Sequence, residues 1–140
     1  MVIKFTKNIL VIITISMLML TIPELTWSET PYGSYNGDYK NGKPHGYGTF
    51  IWNDGVIYKG FWKNGNRHGK GTLKHPNGYT YTGEWNNNYL HGVGKQTYSR
   101  GDSYVGEFRN AERHGYGTYT YPDGRVLKGL WENGKFKGER

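Results

Sequence analysis

The sequence predicts an all-β fold, an elongated and twisted antiparallel ribbon of stacked β-hairpins, preceded by a hydrophobic N-terminal signal helix. Three observations predict it. A 23-residue period runs through residues 35–140, turn pairs recur once in each period, and no segment of the array carries a helical period. Aromatics make up 16% of the 140 residues and glycine numbers 22, while aliphatic side chains are few outside the N-terminus. Such a chain suits local, repeated packing rather than one aliphatic core.

Tyr35, Tyr58, Tyr81, Tyr104 and Leu127 are each 23 residues apart and define position 1 of the repeat. The full copies are 35–57, 58–80, 81–103 and 104–126, with a partial copy at 127–140. Position 3 is glycine in every copy, position 5 is aromatic (Tyr39, Trp62, Trp85, Phe108, Trp131) and position 7 is asparagine. His45, His68, His91 and His114 hold position 11, with Lys137 in the last copy. Glycine holds position 12 throughout and positions 14 and 21 in the four full copies. Every glycine except Gly33 falls on these positions or on position 8.

Local chemistry sets the turns. Asn41-Gly42, Asn64-Gly65 and Asn133-Gly134 accept positive φ and mark two-residue hairpin turns. Asn87-Asn88 can follow them, whereas Asn110-Ala111 does so only with strain, so a different fourth turn is expected. A second turn, with proline early and glycine late, is read at Pro76-Asn77-Gly78 and Pro122-Asp123-Gly124. Alternation puts positions 1, 3 and 5 on one face and positions 2, 4, 13, 15 and 17 on a wetter one. A turn centred on positions 8 and 9 places position 1 opposite 16, 3 opposite 14 and 5 opposite 12. The ring at position 5 then lies over its own repeat's glycine. Two strand spacings of ~4.8 Å separate neighbouring repeats by ~10 Å.

The N-terminus reads as a targeting segment. Lys4 and Lys7 precede an apolar stretch over residues 9–22, and Thr26-Trp27-Ser28 offers small residues for cleavage before Glu29. As a helix this stretch spans about 21 Å, short of a hydrocarbon core of ~30 Å. A signal peptide over 1–28 is therefore favoured, with a short linker at 29–34. Localisation is exported: periplasmic, cell-surface or extracellular. The competing reading retains residues 9–22 as a membrane anchor. There is no cysteine, which excludes disulfides and thiolate chemistry.

The pattern Tyr58-x-Gly60-x-Trp62-x-x-Gly65-x-x-His68-Gly69-x-Gly71, repeated as Tyr81, Gly83, Trp85, His91, Gly92 and Gly94, resembles the MORN (membrane occupation and recognition nexus) repeat. The resemblance covers residues 35–140. It implies a β-hairpin rod that tethers membranes, lipid headgroups or partner proteins. Asn88 and Ala111 at a usual glycine, Leu127 for Tyr and Lys137 for His depart from it.

No enzyme and no cofactor are expected. At ~10 Å per repeat, neighbouring histidines cannot share one zinc ion, whose ligands sit within about 2.1 Å. A ring bonded to the adjoining loop is the expected role. Glu84 and Glu107, one repeat apart, read as solvated rather than as a glycosidase pair. No Gly-x-Ser-x-Gly, Walker loop or His-Glu-x-x-His occurs.

Charge is more informative. The chain carries a formal net charge of +7, and losing residues 1–28 removes Lys4, Lys7 and Glu24. Positions 6–11, the loop edge, hold Lys40, Lys43, Lys63, Arg67, Arg109, Arg113, Lys135 and Lys137 against Glu112 and Glu132. This basic rim is a candidate site for anionic surfaces, either lipid headgroups or acidic envelope polymers. The expected function is a non-catalytic exported scaffold for a protein or cell-envelope partner, with a tether to anionic phospholipid as the alternative. A nucleic-acid partner is not expected of an exported chain. Trp62, Trp85 and Trp131 read as internal packing, and Tyr47, Tyr116 and Phe61 as contact candidates on the wet face. A homo-oligomer through residues 127–140 is expected if the last hairpin leaves an open strand edge.

Overall fold

The computed structural model describes residues 27–139. The expected signal segment up to residue 26, and with it the choice between cleavage and anchoring, lies outside the described residues. Eleven strands follow one another: β1 (Ser28–Thr30), β2 (Gly33–Lys40), β3 (Lys43–Trp52), β4 (Ile57–Lys63), β5 (Asn66–Lys74) and β6 (Thr80–Asn86). The rest are β7 (Tyr89–Thr97), β8 (Ser103–Arg109), β9 (Glu112–Thr120), β10 (Val126–Glu132) and β11 (Lys135–Gly138). They form a single open sheet in chain order, antiparallel at every step where pairing is described. Ten strand spacings of ~4.8 Å make it about 48 Å across.

Both turn families form. The Asn-led turns place positions 7 and 8 at positive φ in every copy, from Asn41 and Gly42 to Asn133 and Gly134. The fourth turn does not differ as expected, because Asn110 and Ala111 adopt φ of 50° and 66°. A stacking bond holds it there. The position-8 N–H donates to the position-10 carbonyl of the preceding repeat, as in Ala111 to Leu90 at 2.9 Å and Gly65 to Pro44 at 2.8 Å. The second to fifth copies all make it, with Gly, Asn or Ala at position 8, and the first copy takes the same φ with no preceding repeat to bond. In the second turn family, Gly55, Gly78, Gly101 and Gly124 donate three residues back, and each has positive φ. Asp54, Asn77 and Asp123 accept from the N–H two residues on.

The register agrees with the sequence reading up to a bulge and departs beyond it. Tyr35 pairs with Phe50 and Gly37 with Gly48, as positions 1 with 16 and 3 with 14 should. Closer to the turn the returning strand carries extra residues, and Tyr39 faces Pro44 rather than Gly46. The bulge lies where position 12 takes left-handed φ, as in Gly69 at 66° and Gly92 at 57°. The position-5 ring is therefore not opposite its own repeat's glycine. Trp62 faces Gly46, Trp85 faces Gly69 and Trp131 faces Gly115, each one repeat back.

Positions 3 and 14 form one row. Gly37, Gly48, Gly60, Gly71, Gly83, Gly94, Gly106, Gly117 and Gly129 face each other in turn from β2 to β10. The rings of Tyr35, Tyr58, Tyr81 and Tyr104 lie on this row, where a Cβ at position 14 would overlap them. These four tyrosines are 0–1% exposed. Each phenol donates to the carbonyl three residues on, at 2.9–3.1 Å. Burial pushes the Tyr35 and Tyr104 phenols up to about 12.

The rings meet edge to face in an unbroken run. Tyr58 contacts Trp62 of its own repeat at 5.0 Å and Trp85 of the next at 5.3 Å, and Tyr81 repeats this with Trp85 and Phe108. Such pairs add roughly 0.5–1.5 kcal/mol beyond area burial. Trp62, Trp85 and Trp131 also donate their indole N–H to Gly48, Gly71 and Gly117, each at 3.2 Å. Tyr39 is 47% exposed while Trp62 is 6% exposed, since no earlier copy supplies Tyr39 with a facing position-12 glycine.

Residues 29–34, read as a linker, instead contribute to a hairpin. Ser28–Thr30 pair with Gly33–Tyr35, and Asn53 donates to the carbonyls of Pro31 and Tyr32. The expected cleavage point between Ser28 and Glu29 thus falls inside β1. Ser28 Oγ and the Tyr39 hydroxyl are hydrogen-bonded across this end of the sheet.

Candidate functional site

The stacked turns bring the loop-edge cations into one row, but not all eight point outward. Lys40, Lys43, Lys63, Arg109 and Lys135 are exposed, and none of them is in an ion pair among the described residues. Lys137 is held by Glu132 at 3.0 Å. Arg67 and Arg113 turn inward. The Arg67 guanidinium stacks on Trp85 at 4.5 Å and donates to the Asn88 carbonyl at 3.2 Å. Arg113 stacks on Trp131 at 4.4 Å and donates to the Gly134 carbonyl at 2.9 Å. Burial lowers the Arg67 pKa from its ordinary value. Both arginines join one repeat to the next, so the outward rim is poorer in charge than the sequence alone implies.

The position-11 histidines sit beside the bulge. His45 Nδ1 accepts from the Asn64 N–H of the next repeat's turn at 3.4 Å. The carbonyls of His91 and His114 accept from Tyr81 and Tyr104. The neighbouring position-4 acids are engaged with the same bulge. Glu107 accepts from the Tyr116 N–H at 3.0 Å, and the Glu84 carboxylate occupies the space a side chain on Gly92 would need.

The wet face carries an aromatic pair. Tyr47 and Phe61 face each other across β3 and β4 with ring centroids 5.3 Å apart and about half their surface exposed. A groove of about 440 Å³ opens beside them over Gly60, Gly71 and Gly83, with Lys59, Lys70 and Thr72 in its walls. Tyr116 and Val93 are also exposed on this face. By contrast Trp62, Trp85 and Trp131 are buried in the ring ladder.

One cluster escaped the sequence reading. Asp102 is fully buried where the other copies have Val56, Tyr79 and Arg125. It pairs with Arg100 at 2.7 Å and accepts from the Tyr119 hydroxyl. Arg100 beside it holds the Asp102 carboxyl down at about 2. Gln96 adjoins this cluster, accepting from Tyr98 at 2.6 Å and donating to Tyr79 at 2.8 Å. The available signal was a polar residue at positions 16 and 22 of the third copy, where Leu73 and Val56 stand earlier.

The MORN repeat pattern matches residues 35–57, 58–78, 81–103 and 104–124. Among curated proteins none matches the chain. With more than half of its length covered by four consecutive copies, the chain belongs to the MORN repeat family.

Proposed function

We propose that the chain is an exported, non-catalytic scaffold that binds a protein or cell-envelope component through the outer face of its sheet. The observation that supports this most is a division of labour among aromatics. The position-1 tyrosines and the position-5 rings from Trp62 onward are buried in the internal ladder, while Tyr47 and Phe61 stand exposed beside a groove. A repeat scaffold or binding role is consistent with MORN repeats. The test is affinity capture from envelope extract at physiological salt, with the wild-type chain beside Tyr47→Ala/Phe61→Ala. Capture of a defined component that the variant loses supports the reading, and identical capture by both contradicts it.

The second reading is a tether to anionic lipid along the loop edge, favoured by the row of five exposed cations on stacked turns. Sedimentation with acidic vesicles should then fall with salt and with charge reversal at Lys40, Lys63 and Arg109. Binding that ignores both removes this reading.

A further inference from the structure

The outer face has an order that the repeat pattern does not require. Side chains at positions 2 and 15 form one row across the sheet, from Asn36 on β2 to Lys128 on β10. Positions 17 and 23 form a parallel row, from Ser34 to Val126. Neither row contains a carboxylate. Threonine or serine holds nine of the eighteen places, Ile51, Ile57, Val105 and Val126 hold four, and lysine recurs as Lys59, Lys95 and Lys128 in the first row and Lys74 in the second. In the first row the lysines are three strands apart, about 14 Å from ~4.8 Å per strand.

We propose that this face binds an acidic polysaccharide, a uronate-type chain laid across the strands beside the Tyr47–Phe61 pair. The inference rests on the outer-face reading above and names its ligand. Evenly spaced cations suit a polymer that carries charge at intervals rather than a single anion. The hydroxyl rows, including Thr72 and Thr82 with their oxygens 3.1 Å apart, can donate to and accept from sugar hydroxyls. Tyr47 and Phe61 offer ring surface to the apolar C–H face of a pyranose.

The nearest acids stand at position 4, one row nearer the Asn-led turns than the first lysine row. Glu107 accepts from the Tyr116 N–H and Asp38 lies against Gly46, while Glu84 lines the groove, where Lys70 stands opposite it. An acidic peptide fits less well. Extended peptides dock by adding to a free strand edge, and the strands beneath this face are paired on both sides. Single-stranded nucleic acid fits less well too, because its platforms use successive rings and the groove walls supply one pair.

The experiment measures binding of the full chain to polygalacturonate by calorimetry at near-physiological salt. Amylose, polyglutamate, oligo-dT and acidic vesicles serve as competing probes. Polygalacturonate should bind at least about tenfold more tightly than each of the others. Lys59→Glu/Lys95→Glu should weaken it by about tenfold or more. Tyr47→Ala/Phe61→Ala should weaken it with the sheet's circular dichroism unchanged, and Lys40→Glu/Lys63→Glu on the loop edge should leave it within about twofold. The proposal is overturned by no binding to polygalacturonate from a folded chain. Equal binding of polyglutamate or oligo-dT, or indifference to loss of the aromatic pair, overturns it as well. If envelope capture still depends on Tyr47 and Phe61 while polygalacturonate does not bind, the scaffold reading stands and the glycan falls.

Discussion

The ring of Tyr58 lies against Gly60 and Gly71, and its hydroxyl donates to the Phe61 carbonyl at 3.0 Å. A side chain on either glycine would enter the space the ring fills. The relation recurs for Tyr35, Tyr81 and Tyr104, which makes the glycine row and the tyrosine column one packing unit.

Gly71→Ala should therefore destabilise the fold even though alanine suits extended backbone. The added methyl overlaps a fully buried ring, and overpacking of this kind costs about 1–3 kcal/mol. Urea unfolding monitored by tryptophan fluorescence measures the loss. An unchanged midpoint would show that the ring can step aside.

Ala111→Gly should have the opposite sign. Ala111 is held at φ 66° by its bond to Leu90, a conformation that costs a residue with a Cβ roughly 1–2 kcal/mol. Glycine relieves most of that cost, less its greater freedom when unfolded. A gain of about 0.5–1 kcal/mol in a denaturant melt is expected. A loss would mean that the turn is not left-handed in solution.

Arg67→Ala should lower stability by about 0.5–2 kcal/mol through its stack on Trp85. Lys63→Ala, on the exposed rim, should change it by less than about 0.5 kcal/mol. Paired thermal melts separate the two cations that the sequence treats alike.

Stability should fall at both ends of the pH scale. The Asp102 carboxyl titrates at about 2 in the folded chain, below an ordinary value of 3.8, so its contribution is present above pH 4. That contribution is lost as pH falls through 2. The Tyr35 and Tyr104 phenols are raised from 10 to about 12 by burial. Their contribution is present below pH 10 and lost as pH rises through 12. Asp102→Asn should flatten the acid limb alone, which melts at pH 2, 4 and 7 would register. A variant with the wild-type acid slope would rule out Asp102 as its source.

Much of this architecture is legible in residue order because the repeat ties each residue type to one geometric job. Asn-Gly pairs mark one turn and Pro-x-Gly the other, while the alternation of Tyr58, Gly60 and Trp62 marks the buried face. The bulge was not legible. Its glycine at position 12 looks the same as one that makes room for a ring, and only the pairing of Trp62 with Gly46 separates the two roles. The fates of Arg67 and Arg113 were hidden for a related reason. Position 10 adjoins exposed loop positions in sequence, yet it faces the aromatic column once repeats stack. Strand β1 was missed because Ser28–Thr30 lies before the first period and carries none of its marks.

Each position-5 ring from Trp62 onward packs on the preceding repeat, so that neighbours are joined through their rings. This is tested most directly by the indole N–H of Trp85 in a nuclear Overhauser spectrum of the labelled chain. Contacts from that proton to Gly71 and Tyr58 are expected, together with slow exchange from its bond to the Gly71 carbonyl. Contacts to Gly92 of its own repeat, with none to Gly71 or Tyr58, would contradict it.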